Sequence, residues 1–157
     1  MTLVVYSSAF SVPADDLFAF HLDAANLARI SPPFPPFQLL DAPNPPSEGD
    51  LQVFRLGFGK AGVTWHARIS RIQPGKMLED TQESGPFRRW RHQHRVRAEN
   101  GGSRLTDVVS FRLIPTPVGE FLEFLLIRPG ILTMFAWRHR RTRALLASPR
   151  EGAMAKS

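Results

Sequence analysis

The stretch Arg89-Trp90-Arg91-His92-Gln93-His94-Arg95-Val96-Arg97-Ala98-Glu99-Asn100-Gly101-Gly102-Ser103-Arg104-Leu105-Thr106-Asp107-Val108-Val109-Ser110-Phe111-Arg112 reads as two strands joined by a glycine turn. With Asn100–Gly101 as the loop, Trp90 opposes Phe111, His92 opposes Val109, His94 opposes Asp107 and Val96 opposes Leu105. One face then carries Trp90, His92, His94, Val96, Leu105, Asp107, Val109 and Phe111. The other carries Arg89, Arg91, Gln93, Arg95, Arg97, Arg104, Thr106, Ser110 and Arg112. Side chains alternate across a strand, so this segregation assigns the first face inward. A loop at Gly101–Gly102 keeps the faces and sets His94 opposite Val109, with Asp107 its diagonal neighbour.

Working outward, further strand-like runs cover Gly49–Gly59, Gly62–Ile72, Lys76–Gln82, Phe87–Glu99 and Ser103–Ile114. Their separators are turn chemistry: glycine supplies positive φ, and proline fixes the first turn position. With Pro74–Gly75 as a turn, Ile69 faces Asp80 and Ala67 faces Gln82. With Lys60–Ala61 as a turn, Leu56 faces Trp65 and Phe54 faces Ala67. The inner surface then collects Phe54, Leu56, Phe58, Val63, Trp65, Ala67, Ile69 and Leu78. Consecutive hairpins give an antiparallel meander.

Leu3–Phe10 is a first strand. Ser11 can cap the helix after it, which runs to about His21 with Pro13 in its first turn. A second helix spans about Ala24–Ile30 and stops before Pro32. Seven prolines between Ser31 and Ser47 exclude helix there, and leave room for strand only at Phe37–Leu40. Phe34 and Phe37 can cap a core or line a cavity mouth. A helical stretch covers about Gly119–Ala147, with an interruption or kink expected at Pro129–Gly130. Beyond it Leu132, Phe135, His139, Thr142 and Leu146 share a face, while Arg138, Arg140, Arg141 and Arg143 lie mostly elsewhere. This predicts an α+β fold, a curved antiparallel sheet covered by a long C-terminal helix, with two short helices after strand 1. The expected organisation is one domain over 1–147 and a flexible tail over 148–157.

Composition narrows the function. At 157 residues, 43% hydrophobic and 22% charged, the chain suits a single globular domain with its own core. It has no cysteine, which excludes disulfides, thiolate zinc sites and a cysteine nucleophile. The net charge of +6 is mostly arginine and admits an anionic partner, although a basic solubilising surface is the simpler account. Met1–Phe10 lacks a basic n-region and a cleavage site, and the greasy run Phe121–Trp137 is broken by charges and by Pro129–Gly130. A cytoplasmic protein is expected.

The inward face also holds Asp80, Gln82, His92, His94 and Asp107 among apolar residues. An unpaired buried charge costs several kcal/mol, so such groups belong either to a satisfied pair or to a ligand pocket. Both readings stay open here.

The run Asp80-Thr81-Gln82-Glu83-Ser84-Gly85-Pro86-Phe87-Arg88-Arg89-Trp90-Arg91-His92-Gln93-His94, followed by Gly101-Gly102-Ser103-Arg104-Leu105-Thr106-Asp107, resembles the START-like (SRPBCC) superfamily. The similarity is to its bacterial, polyketide cyclase/dehydrase-like ligand-binding branch, with serine at 103 where that branch usually has threonine. It extends from Thr2 to about Leu146 and includes Trp65 and Phe135–Arg138. The resemblance implies the helix-grip (Bet v 1-like) fold, with one cavity between sheet and long helix. It carries over no catalytic set.

The expected function is binding, and with it transport or sequestration, of a small hydrophobic ligand: a lipid, isoprenoid, quinone or aromatic polyketide. Phe54, Phe58, Trp65, Trp90, Phe111, Leu132 and Phe135 would supply apolar contact, and Asp80, Gln82, His92, His94 and Asp107 would orient a polar group. The Pro-rich segment near Phe34 and the break at Pro129–Gly130 would form the mouth. Such sites usually occupy roughly 300 Å³ or more. One alternative is a cyclase or dehydratase with His94 as acid/base, oriented by Asp107; no nucleophile, phosphate-loop or dinucleotide motif supports it. His92-x-His94 can also hold a metal with Asp80 or Asp107, but structural histidines are commoner, so no metal and no cofactor are expected. A second alternative is an anionic surface or RNA bound by the arginine face, which lacks stacking aromatics. No specific nucleic acid is expected; peripheral contact with an anionic membrane and the oligomeric state stay open.

Overall fold

The computed structural model describes residues 1–147; the tail expected over 148–157 lies outside the described residues. Seven strands form one antiparallel sheet in the order β1-β7-β6-β5-β4-β3-β2. They are β1 (Thr2–Phe10), β2 (Phe37–Asp41), β3 (Leu51–Leu56), β4 (Val63–Gln73), β5 (Met77–Ser84), β6 (Arg89–Glu99) and β7 (Gly102–Arg112). Helices α1 (Ala14–Leu22) and α2 (Ala24–Ile30) follow β1, and the chain ends in α3 (Pro117–Leu122), a π turn (Glu123–Ile127) and α4 (Arg128–Ala147). The curved sheet with a long C-terminal helix and two short helices after strand 1 is the helix-grip fold.

The β6–β7 register pairs Trp90 with Phe111, His92 with Val109 and His94 with Asp107, as the Asn100–Gly101 loop predicts. Asn100 at φ 45° and Gly101 at φ 78° supply the two positive φ angles of a type I′ hairpin turn. The β4–β5 register also follows the sequence, with Ile69 opposite Asp80 and Ala67 opposite Gln82. The β3–β4 register differs by two residues: Phe54 faces Trp65, and Leu56 faces Val63. The cause is local. Gly57 takes φ 100° and ends β3, and a 3₁₀ turn over Gly59–Ala61 lengthens the loop. The faces survive because the slip is even.

Three other expectations change. Ser11 does not cap α1; Pro13 takes the cap position and no side chain bonds there. Asp23 caps α2 instead, accepting from the Ala25 N–H at 2.9 Å. The terminal helix begins at Pro117, capped by Thr116, and is not interrupted at Pro129–Gly130. The Arg128 N–H bonds the Glu123 carbonyl five residues back, so a wide turn precedes Pro129 and makes room for its ring.

The core is split in two. Phe10, Leu17, Phe18, Ile69, Leu78, Val96 and Leu105 pack together under α1. Val4, Trp90, Val109, Phe111, Ile131 and Phe135 form a second cluster under α4. Polar side chains from β6, β7 and α4 lie between them.

Candidate functional site

Asp107 is the centre of that polar layer. It is 1% exposed, on β7. His92 Nε2 lies 3.1 Å from its Oδ1, and His139 Nε2 lies 2.5 Å from its Oδ2. His94 Nδ1 approaches Oδ1 at 2.5 Å, off the line of a hydrogen bond, so that nitrogen has no well-directed partner. His139 bridges onward to Ser8 Oγ at 2.8 Å, and His92 Nδ1 reaches Asp80 Oδ2 at 3.5 Å. His21, from α1, donates from Nδ1 to the Leu17 carbonyl at 2.9 Å and packs against His94 with ring centroids 5.2 Å apart.

The electrostatics separate these imidazoles. Burial lowers His92, but the Asp107 and Asp80 carboxylates outweigh it and raise it to about 9. Burial and the neighbouring charge of His92 lower His94. Burial, then His94, pushes His21 down to about 3. Burial would raise Asp107, yet the surrounding imidazoles hold it well below the usual carboxylate range. At neutral pH, therefore, His92 carries a proton between two carboxylates, while His21 and His94 are neutral.

A cavity opens between this layer, the sheet and α1–α2. Its floor is Phe54, Trp65, Ala67, Ile69, Leu78 and Trp90. Asp80, His92, His94 and His21 form its polar end, while Phe20, Ala24, Leu27 and Ile30 form the helical wall. Phe37, Gln52, Asp23, Asn26 and Arg138 complete the lining. The enclosed space is about 90 Å³, room for roughly three waters at ~30 Å³ each. That is smaller than the ~300 Å³ expected of a small-molecule site, because aromatic rings fill it. Trp65 and Trp90 meet edge to face at 4.9 Å, and Phe37 packs on Phe54 at 5.1 Å.

Of the residues picked from sequence, Phe54, Trp65, Asp80, Trp90, His92 and His94 line the cavity. Six do not. Phe58 follows the positive-φ Gly57, turns outward and is 64% exposed, against Phe34. Gln82 braces the β5–β6 turn, bonding the Phe87 carbonyl and N–H. Phe111, Leu132 and Phe135 belong to the cluster under α4. Asp107 stands behind the histidines rather than on the cavity surface. The mouth residues differ too: Phe37 lines the cavity, whereas Phe34 is 74% exposed.

Sequence reading missed His21, His139, Gln52 and Arg138. His139 had a legible signal, a histidine on the apolar stripe of a helix. Arg138 had none, since its position falls off that stripe.

Residues 10–131 match the family described as polyketide cyclase / dehydrase and lipid transport. Among solved structures, protein Ms6760 from Mycobacterium smegmatis is 17% identical, with a TM-score of 0.67 over 92% of this chain and 90% of its own. Protein CV1439 from Chromobacterium violaceum is 14% identical, with a TM-score of 0.72 over 94% and 98%. Ara h 8.0201 is 15% identical, with a TM-score of 0.62 over 89% and 97%. At these identities the likeness is one of fold alone. No curated protein matches the sequence. With the family match spanning most of the chain, from β1 into α4, the protein belongs to the polyketide cyclase / dehydrase and lipid transport family.

Proposed function

We propose that this chain binds a small hydrophobic molecule in the cavity between sheet, α1–α2 and α4, and that it carries or sequesters that molecule in the cytoplasm. The observation that carries the reading is the composition of the cavity wall. Apolar side chains make up most of it, five of them aromatic (Phe20, Phe37, Phe54, Trp65 and Trp90), and Asp80, His92, His94 and Arg138 give it polar groups. The small free volume means that a ligand larger than a few heavy atoms enters by displacing rings such as Trp65 and Phe37. The acid–base alternative has less support, because Asp107 gives its well-directed bonds to His92 and His139 rather than to His94. Native mass spectrometry on freshly purified protein, with solvent extraction, tests the binding reading. The expected result is a bound mass of apolar character. A bare 17.7 kDa species that also ignores a panel of lipids and aromatics ends it.

A membrane contact fits the same reading. Val118, Phe121, Phe124, Leu125 and Leu126 are each more than half exposed on α3 and the π turn. At the same end Arg88 and Arg89 border a depression shared with Met1, Pro115 and the Arg112–Glu120 ion pair. Apolar side chains flanked by arginine suit the interface of an anionic bilayer. On the outer face of β6–β7, by contrast, Arg91 and Arg104 are bonded to Glu79 and Glu99, which leaves less free charge for RNA.

A further inference from the structure

The charges in the cavity do not all find partners. Asp107 is committed to His92, His94 and His139, and Asp80 to His92. Arg138 reaches the cavity from α4. Its Nη2 donates to Ser31 Oγ at 3.1 Å, and its guanidinium lies 5.9 Å from the Phe37 ring centroid. Among the described residues no carboxylate comes within ion-pair distance of it, and its buried Nε has no hydrogen-bond partner. Trp65, on the same cavity wall, also has a buried indole Nε1–H without a partner.

A guanidinium presents five N–H groups in a planar fork that matches a carboxylate with two parallel bonds. A buried cation left without an anion is costly, and orphan donors in a binding cavity describe the acceptors its ligand must bring. Away from the Asp80–His92–His94–His21 end and the polar Asp23, Asn26 and Gln52, the wall is aromatic and aliphatic. A phosphate would need further cations, and Arg138 is the only arginine or lysine among the lining residues. Burial pushes Arg138 down to about 10, while Asp107 and Asp80 hold it up from a distance, so it stays charged at neutral pH with no anion in direct contact.

We infer that the ligand is a hydrophobic carboxylic acid whose carboxylate is received by the Arg138 guanidinium, with the unpartnered Trp65 indole N–H of the same cavity lining as a second donor. This rests on the ligand-binding reading above. It adds a class of ligand, and it names Arg138 as the residue that selects the class.

The test uses matched pairs of probes: benzoate against benzyl alcohol, and octanoate against 1-octanol, titrated at pH 7 by calorimetry and by tryptophan fluorescence. At least one acid should bind tenfold or more tightly than its alcohol. R138Q should remove that preference, leaving acid and alcohol within about threefold, while R138K retains part of it. In the wild-type protein, the Arg138 Nε–H and Trp65 Nε1–H resonances should shift with the acid and not with the alcohol; this readout serves even if R138Q fails to fold. Alcohols binding as tightly as acids, or an acid preference that survives R138Q, overturns the carboxylate assignment while leaving the cavity a binding site. No binding of any probe by folded protein overturns both.

Discussion

Asp107 concentrates the energetics of the site in one residue. Its carboxylate accepts from imidazoles on β6 and α4, so one side chain ties the sheet to the terminal helix. Removing one member of a buried charged network costs about 3–5 kcal/mol, because the partner is left uncompensated. D107N is therefore expected to lower stability in urea by about that amount and to bring the His92 titration down from about 9. The pH dependence follows from the same groups. His92 is raised when folded, so its contribution is full below the unfolded value near 6.5 and is lost as pH rises through about 9. His21 is depressed to about 3, so the unfolded chain binds its proton more readily, and stability falls as pH drops below about 6.5. Stability should peak near neutrality, and D107N should flatten the alkaline side. Denaturant midpoints between pH 5 and 9.5 measure this; a midpoint still rising to pH 9 contradicts the assigned protonation of His92.

At the scale of the element, the π turn joins the greasy α3 to α4, and Glu123 fastens it. Glu123 is fully buried and accepts from Thr2 Oγ1 at 2.5 Å and from the Leu113 N–H at 2.6 Å. Burial would raise its carboxyl, but these donors and Arg112 hold it below the usual range. E123A leaves buried donors unpaired, an expected cost of about 1–3 kcal/mol, or a few degrees in Tm for a chain of this size. Amide exchange should quicken at Leu113 and in the first turns of the helix more than in β6. Gly119 is needed next to it because a Cβ there would run into the Ile114 carbonyl oxygen, so G119A should also destabilise. A G119A protein as stable as wild type would contradict this packing.

For the whole molecule, the sheet's outer face and its α3 end divide the charge and the grease. Arginines on the outer face are bonded to acids such as Glu79, Glu83 and Glu99, while Phe121, Phe124 and Leu126 project from α3 and the π turn. No helix among the described residues is long and apolar enough to cross a membrane, so this end would rest on a bilayer rather than span it. Vesicles with about a third anionic lipid should retain the protein, neutral vesicles much less, and added salt should release part of it. F121S/F124S should weaken retention without moving Tm, because both side chains are already exposed. Equal binding to neutral and anionic vesicles would remove the role of the flanking arginines.

The meander, the β4–β5 and β6–β7 registers and the inward His–Asp pairing were legible in the sequence. Strand alternation has a period of two, and each turn carries its own glycine or proline signal. The β3–β4 slip was hidden in the conformation of Gly57, which composition does not reveal. The cavity was half legible. Its sheet-borne members follow from alternation, but His21, Gln52 and Arg138 join it from separate elements, and their placement depends on how α1, α2 and α4 pack. The sequence by itself thus determined the fold class and the faces, because these rest on local periodicity and turn chemistry; the family was carried by the resemblance of the Asp80–His94 and Gly101–Asp107 runs and by the match over residues 10–131. Only the tertiary structure decided which imidazole keeps the proton, how little room the rings leave and which buried cation has no anion in contact, because burial and charge proximity are properties of the packed chain.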